Sequence, residues 1–241
     1  MTYYEPPMNV SMMEQKMRVT DIECILRAVD SPILEKATYP AKLVTIKGGR
    51  KLLVRRATRA EGPEVLKAIK LYTEVNKDFY DIVAARTYAE VLGWMRYRVK
   101  DHYLMLGILD DELVGLANAR MWNQDLGISF HTMAFRRGID VGSAVYFAKL
   151  EFAMDYLGAK EWWATFESYI GWRSGMEWAL KGKPFPEVQH ELGGSRVFYI
   201  TKEDWENFGK KKFARDIGER PVPKDLLAKS EKFKIPEKAD V

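Results

Sequence analysis

The sequence predicts an α/β fold, in which strands and helices follow one another along most of the chain. Three observations support this prediction: helix starts marked by capping boxes, apolar runs paired across glycines, and a glycine-bearing turn between a strand and a long apolar helix. The 241 residues are 47% hydrophobic and 30% charged, which is the composition of a folded protein with a large core. We expect one mid-sized domain with an extension, or two small domains.

The composition also excludes several classes of site. Cys24 is the only cysteine, so an internal disulfide and a zinc site built from several thiolates are excluded. The histidines His102, His131 and His190 lack a ligand-like spacing, and we expect no metal. No apolar run approaches the roughly 18 residues of a spanning helix, and no secretory signal is visible. The expected compartment is the cytoplasm, with no membrane partner.

Residues 1–50 are predicted to form an N-terminal extension. Thr20 and Glu23 have the spacing of a capping box, which indicates the start of a short helix. Its apolar face would consist of Ile22, Ile25, Leu26 and Val29. Further along, two apolar-rich runs flank Gly48 and Gly49, which favour the positive φ angles of a tight β-hairpin turn.

Residues 51–208 are predicted to form the main domain. After the first strand, Thr58 and Glu61 make a second capping box before a helix. The buried stripe of that helix would be Val65, Leu66, Ile69 and Tyr72. A second helical stretch covers residues 81–100, and three strands follow from His102 to residue 134.

The rest of this domain completes the alternation. A helix ends at Gly158, where a left-handed cap is expected, and a strand follows in EWWATF. Residues 170–181 are helix-like, and the last hairpin flanks Gly193 and Gly194. The predicted order is strand, two helices, three strands, helix, strand, helix and two strands.

Residues 209–241 form a basic tail that contains prolines. The net charge of the chain is +4, and lysines are concentrated in this segment. Such a composition predicts a solvated tail that wraps or frays at the surface. The alternative is a basic contact for an acidic partner. The charge excess is too small to argue for nucleic acid by itself, and binding of nucleic acid through this tail ranks last among the functions expected from the sequence.

The segment RRGIDVGSA, which joins a predicted strand to a predicted helix, resembles the acetyl-CoA-binding motif of the GNAT N-acetyltransferase superfamily. The matching residues are Arg137, Gly138, Val141, Gly142, Ser143 and Ala144. The order of elements from about residue 51 to residue 207 is also similar. The resemblance implies an α+β fold with a mixed, mostly antiparallel twisted sheet flanked by helices, and acetyl-CoA as co-substrate without a metal.

The resemblance also implies roles for the residues around this loop. Amides of residues 137–143 would hold the pyrophosphate, since exposed N–H groups at a helix start bind anions. The strand edge at Thr132, Met133 and Ala134 would pair with the pantetheine arm and donate an N–H to the oxyanion. Asp140 stands where the family usually has a glycine. Its carboxylate would either repel the pyrophosphate or cap the helix from outside.

The candidate catalytic groups follow from the needs of acetyl transfer, a base for the amine and a proton for the thiolate. Trp178 stands where the family often has a tyrosine acid, so Tyr169 or water would supply the proton. His131 and Glu167 rank together as bases, and Glu177 follows them. Each of these side chains could instead have a purely structural role, as a packed core residue or a solvated rim residue.

The function expected from this sequence is transfer of an acetyl group from acetyl-CoA to a primary amine of a small molecule or peptide, by direct attack on the thioester. The alternative is a catalytically inactive protein of the same fold that binds acyl-CoA or another ligand as a sensor or interaction module. The acceptor and the oligomeric state stay open, a homodimer included.

Overall fold

A computed structural model describes residues 34, 37–77, 79–99, 101–166, 181–182 and 197–240. Their strands are β1 Lys42–Thr45, β2 Lys51–Arg56, β3 His102–Leu109, β4 Glu112–Met121, β5 Leu126–Ala134, β6 Glu161–Ala164, β7 Lys181–Gly182 and β8 Phe198–Thr201. All eight form one sheet in the order β1-β2-β3-β4-β5-β6-β8-β7. In the described part of the chain β5 and β6 pair in parallel, and every other neighbouring pair is antiparallel. The predicted mixed, mostly antiparallel sheet is confirmed.

Helices flank this sheet. They are α1 Gly62–Lys70 after a 3-10 turn Arg59–Glu61, α2 Tyr80–Met95, and α3 Val141–Glu151 with a π-helical continuation Phe152–Tyr156. After β8, α4 consists of Lys202–Asp204, a π-helical Trp205–Gly209 and Lys210–Lys212, and is followed by a 3-10 turn Ala214–Ile217 and α5 Lys224–Ser230. None of the described helices is long and apolar enough to cross a membrane.

Local signals in the sequence explain where several elements begin and end. Gly48 and Gly49 have φ angles of 82° and 74° in the β1–β2 turn, as the predicted hairpin requires. The capping box of Thr58 and Glu61 is present, and Gly158 has a φ of 78° just after α3. The predicted helix near residues 20–29 lies outside the described residues. So do the helix-like stretch up to residue 180 and the first strand of the last hairpin.

Two hydrophobic cores lie on the two faces of the sheet. α1 and α2 cover one face, where Val65, Ile69 and Val91 pack against Leu104 and Phe135. On the other face, α3 packs on the sheet. Its core includes Val44, Leu52, Tyr103, Phe147 and Trp162. Burial of both sheet faces accounts for the near-continuous apolar runs of β3 and β4.

The basic C-terminal segment wraps around this sheet. Glu219 bridges to Leu43 of β1, and Lys234 bridges to Glu112 of β4. Phe213 belongs to one hydrophobic core and Phe233 to the other. The segment is therefore held by apolar contacts as well as backbone pairing, while most of its lysines stay exposed.

Candidate active site

The glycine-bearing loop between β5 and α3 presents a row of backbone amides. Gly138 and Asp140 both have left-handed backbone angles, with φ of 74° and 71°, and α3 begins directly after them. Within the described part of the chain, the amides of residues 138–143 have no hydrogen-bond acceptor. Unpaired N–H groups at the start of a helix attract an anion. A row of amides in this arrangement can hold an anion.

Asp140 occupies the N-cap position of α3, but its side chain does not cap the helix. The Asp140 Oδ2 atom instead accepts a hydrogen bond of 3.1 Å from Nη1 of Arg215 in the C-terminal segment. The expectation that its carboxylate caps the helix is therefore wrong, although the residue tolerates the left-handed conformation as expected. The ion pair holds the carboxylate on the side of the C-terminal segment.

Two further carboxylates of the C-terminal segment contact the loop. The hydroxyl of Ser143 donates to Oδ2 of Asp216 at 2.5 Å, and burial raises the pKa of that carboxyl. At the other side of the loop, the amide of Arg137 donates to Oδ2 of Asp240 at 3.3 Å. Two of the residues matched to the family motif therefore have partners in the chain itself.

The edge of β5 next to this loop is not covered by β6. β5 pairs with β6 only from Leu126 to Ile128, and no pairing of the two strands continues past that point in the described residues. The hydroxyl of Tyr80, the first residue of α2, bonds both the N–H of Ala134 at 3.0 Å and its C=O at 2.8 Å. Because backbone groups alternate along a strand, Thr132 faces the same edge as Ala134, whereas Met133 faces β4.

A β-bulge interrupts β5 directly before Thr132. Ala117 pairs with Thr132 and Ala119 pairs with Ser129, so one residue of β4 faces two of β5. The residue on β4 is Asn118, and the two on β5 are Phe130 and His131. Bulges re-aim side chains and are common beside active sites.

His131 and Glu90 of α2 form an ion-pair geometry at the bulge. The distance from Nε2 of His131 to Oε1 of Glu90 is 3.3 Å. The amide of Asn118 donates to the other Glu90 oxygen at 2.5 Å, and its Oδ1 accepts from the backbone N–H of His131 at 2.8 Å. Burial opposes the ionisation of Glu90, but hydrogen bonds from His131 and Asn118 outweigh it, and the pKa of Glu90 lies below its usual value. A carboxylate that orients an imidazole is the arrangement of an assisted general base.

Comparison with solved structures identifies the fold. Apo FdhC, a nucleotide-linked sugar GNAT, superposes on 75% of this chain and 99% of its own, with a TM-score of 0.51 and 11% identity. This chain has the GNAT fold. The GNAT domain of S. lividans PAT gives a TM-score of 0.49 at 14% identity, over 68% of this chain and 99% of that one. No protein-family model and no curated protein matches the sequence.

A buried lysine lies beneath the bulge on the other face of the GNAT sheet. The ammonium of Lys149 in α3 donates to the carbonyls of Asn118 and His131, at 3.3 Å and 3.1 Å. The bulge interrupts the regular N–H···O=C pairing of β4 with β5 at these two carbonyls, and the lysine donates to both instead. Burial lowers the pKa of Lys149 to about 7, and the charge of Glu90 opposes that effect.

The structure brings some of the predicted site residues together on this GNAT fold and leaves others aside. His131, Thr132, Met133 and Ala134 lie on β5, and Arg137, Gly138, Val141, Gly142, Ser143 and Ala144 lie in the loop and first turn of α3. Glu167, Tyr169, Glu177 and Trp178 lie outside the described residues.

Sequence reasoning missed three residues of the site, namely Glu90, Asn118 and Lys149. A signal for two of them was present, because Asn118 and Lys149 are polar residues inside apolar runs, and each is fully buried. Buried polar groups need partners, so such positions indicate a polar network. Glu90 offered no comparable signal, since its role depends on how α2 packs on β5. The described residues contain no cluster of three or more potential metal ligands.

Proposed function

We propose that the protein transfers an acetyl group from acetyl-CoA to a primary amine of a small molecule or peptide. The observation that supports this most is the order of three features along β5 and the loop after it. The Glu90–His131 pair lies at the bulge, the open edge at Thr132 follows, and the row of unpaired amides comes last. This order fits a thioester whose reactive end lies near a base and whose phosphates lie on a helix start.

The residues of the loop fit coenzyme A. Its pyrophosphate would be held by the amides of residues 138–143, which have no acceptor in the described part of the chain. A Cβ atom added at Gly142 would meet only the Cβ of Ala134, at 3.9 Å, so the approach to the helix start is open. Asp140 is paired with Arg215, which reduces the repulsion expected from a carboxylate beside phosphate.

Acetyl-CoA, when bound, supplies an acyl group already activated as a thioester. His131 then accepts the proton of the attacking amine, and Glu90 stabilises the resulting imidazolium through the 3.3 Å contact. Asn118 fixes the arrangement because it bonds both the Glu90 carboxylate and the His131 backbone. The proton for the leaving thiolate comes from Tyr169 or from water.

Thr132 supplies the N–H that stabilises negative charge on the acyl oxygen. Its N–H belongs to the same peptide unit as the His131 carbonyl, which accepts a hydrogen bond from Lys149. A cation bonded to the carbonyl of a peptide polarises that unit and strengthens its N–H as a donor. The buried lysine thereby assists a donor that faces the open edge.

A second function, an inactive acyl-CoA sensor, is favoured by two other contacts. Tyr80 bonds both edge groups of Ala134, and Asp240 accepts from the amide of Arg137. A bound thioester that pairs with this edge has to displace both side chains. Displacement of chain segments on binding is a way to signal a ligand without turnover.

Calorimetric titration with acetyl-CoA, followed by a thiol-release assay with mixed primary amines, tests these functions. We expect binding and turnover in the wild type, and a roughly 10²–10⁴-fold loss of kcat in His131→Gln with acetyl-CoA affinity retained. Arg50→Gln is the control, since Arg50 is a half-exposed residue paired with Asp110 at the β1–β2 turn. Binding without turnover in the wild type would favour the sensor, and absence of binding would contradict both functions.

A further inference from the structure

A cavity of about 320 Å³ lies at the end of the sheet opposite the glycine loop. It lies where β2 ends, β3 begins and α2 ends, and its wall includes Arg56, Arg59, Trp94, Tyr97 and His102. β3 and β5 run in the same direction because each is antiparallel to β4. The start of β3 is therefore at the end of the sheet away from the loop that follows β5. This volume is sufficient for a molecule of amino-acid size.

His102 is the wall residue whose unpaired polar atoms most clearly indicate a ligand. Its side chain is 1% exposed, and neither Nδ1 nor Nε2 has a hydrogen-bond partner in the described part of the chain. Burial lowers the pKa of His102 to about 4, so its imidazole is neutral at pH 7 and offers one donor and one acceptor. Buried polar atoms without partners are rare in folded proteins, and such atoms commonly bind a water, an ion or a ligand.

The cavity wall is also positively charged. The guanidinium of Arg59 lies 4.3 Å from the ring centre of Tyr97 and 5.1 Å from that of Trp94, which fixes its plane. Arg56 donates from Nη1 to the carbonyls of Leu34 and Ala37, at 2.9 Å each. Burial, and to a lesser extent the charge of Arg59, lowers the pKa of Arg56. The described wall contains no carboxylate.

One wall residue of the cavity, His102, lies next to the bulge that carries the proposed base. The rings of His102 and Phe130 are 5.8 Å apart, and Phe130 is the bulge residue that precedes His131. Two arginines, a neutral imidazole and flanking aromatic rings suit a carboxylate on an apolar body, since planar guanidinium groups match carboxylate oxygens.

We propose that this cavity binds the carboxylate of the acceptor, so that the amine which receives the acetyl group belongs to an amino-acid-like molecule. The proposal rests on the acetyl transfer proposed above, but the binding of the carboxylate is measurable without it. The carboxylate pairs with Arg59 and Arg56 and accepts from His102. The amine of the same molecule then points past Phe130 towards His131.

Calorimetric titration without acetyl-CoA tests the cavity by itself. The probes are 3-phenylpropionate, its uncharged analogue 3-phenylpropionamide, and phenylethylphosphonate. We expect the carboxylate to bind at least tenfold more tightly than the amide and more tightly than the phosphonate. We expect Arg59→Gln and His102→Phe each to lose at least tenfold in affinity for the carboxylate, and Arg50→Gln to lose none.

The outcomes separate this proposal from the proposed function. Equal affinity for carboxylate and amide in the wild type overturns the cavity proposal, and a preference for the phosphonate overturns its ligand class. Both results come from the wild-type chain, so they hold even if a variant fails to fold. Carboxylate binding without any acetyl transfer leaves the cavity proposal standing as a binding site and contradicts only the enzyme. Acetylation of uncharged amines as fast as amino acids contradicts only the cavity.

Discussion

Replacement of Lys149 by methionine tests the buried cation beneath the bulge. Lys149 is 0% exposed, and among the described residues its ammonium bonds two backbone carbonyls and no carboxylate. Methionine has a similar length and no charge, so Lys149→Met removes the cation with little change in packing. We expect the substitution to change how stability depends on pH, because the pKa of Lys149 differs strongly between the folded and unfolded chain.

The size of the effect follows from the two pKa values. Burial lowers the pKa of Lys149 from 10.5 to about 7 in the folded protein. Between these values the unfolded chain holds a proton that the folded chain lacks, so the free energy of unfolding rises with pH. Below pH 7 both states are protonated, and the full cost of the buried charge is present. From pH 7 to pH 9 this one group adds about 2 kcal/mol to stability.

Urea unfolding at pH 7, 8 and 9 measures this difference for the wild type and for Lys149→Met. The two lost hydrogen bonds shift the variant by a roughly constant 1–3 kcal/mol, which does not alter the slope. The difference between wild type and variant should therefore change by about 2 kcal/mol over this range. Lys160→Met is the control, because that lysine is 74% exposed and its removal should leave the curves parallel. Parallel curves for Lys149→Met as well would refute a depressed pKa at this site.

Substitutions at three further positions test the loop and the packing of the sheet. Gly142→Trp should abolish acetyl-CoA binding in calorimetric titration, because an indole would fill the phosphate position. Gly142→Ala should retain binding, because the added Cβ would lie 3.9 Å from the Cβ of Ala134. Equal affinities of the two variants would contradict the site. Asp140→Gly should bind acetyl-CoA equally or more tightly, since it removes a carboxylate at a left-handed position that glycine adopts freely; weaker binding would show that the carboxylate helps. Gly115→Ala should cost about 1–3 kcal/mol in urea unfolding, because its Cβ would lie 2.9 Å from the carbonyl oxygen of Met133; unchanged stability would contradict tight packing there.

The parts of the fold that depend on local sequence were predictable. Gly48 and Gly49 favour a turn because glycine adopts positive φ angles freely. Thr58 and Glu61 mark a helix start through hydrogen bonds within four residues. The loop from Arg137 to Ser143 was identified for the same reason, since its glycines and the helix after it are adjacent in sequence. Such features need no knowledge of distant contacts.

The polar network at the bulge was predictable only in part, because it depends on contacts between distant segments. His131 is a candidate base from the sequence because histidine is a common general base, but its partner Glu90 is on a helix 41 positions earlier, and the two meet only when α2 packs on β5. The bulge arises from the register of β4 against β5, which neither strand specifies alone. The same limit applies to Phe213 and Phe233, because the lysine-rich composition around them gives no sign that they are buried in the two cores.

The energetics of Lys149 argue for a role of the bulge beyond packing. A folded-state pKa of about 7 means that the lysine costs the folded protein about 5 kcal/mol whenever it is charged. An apolar residue would avoid that cost, but it would leave the carbonyls of Asn118 and His131 without a donor. A regular β5 without the bulge would pair these carbonyls within the sheet and would need no buried lysine, but it would turn His131 away from Glu90. The lysine and the bulge therefore form one unit, whose cost is explained by the position that it gives to His131 and Thr132.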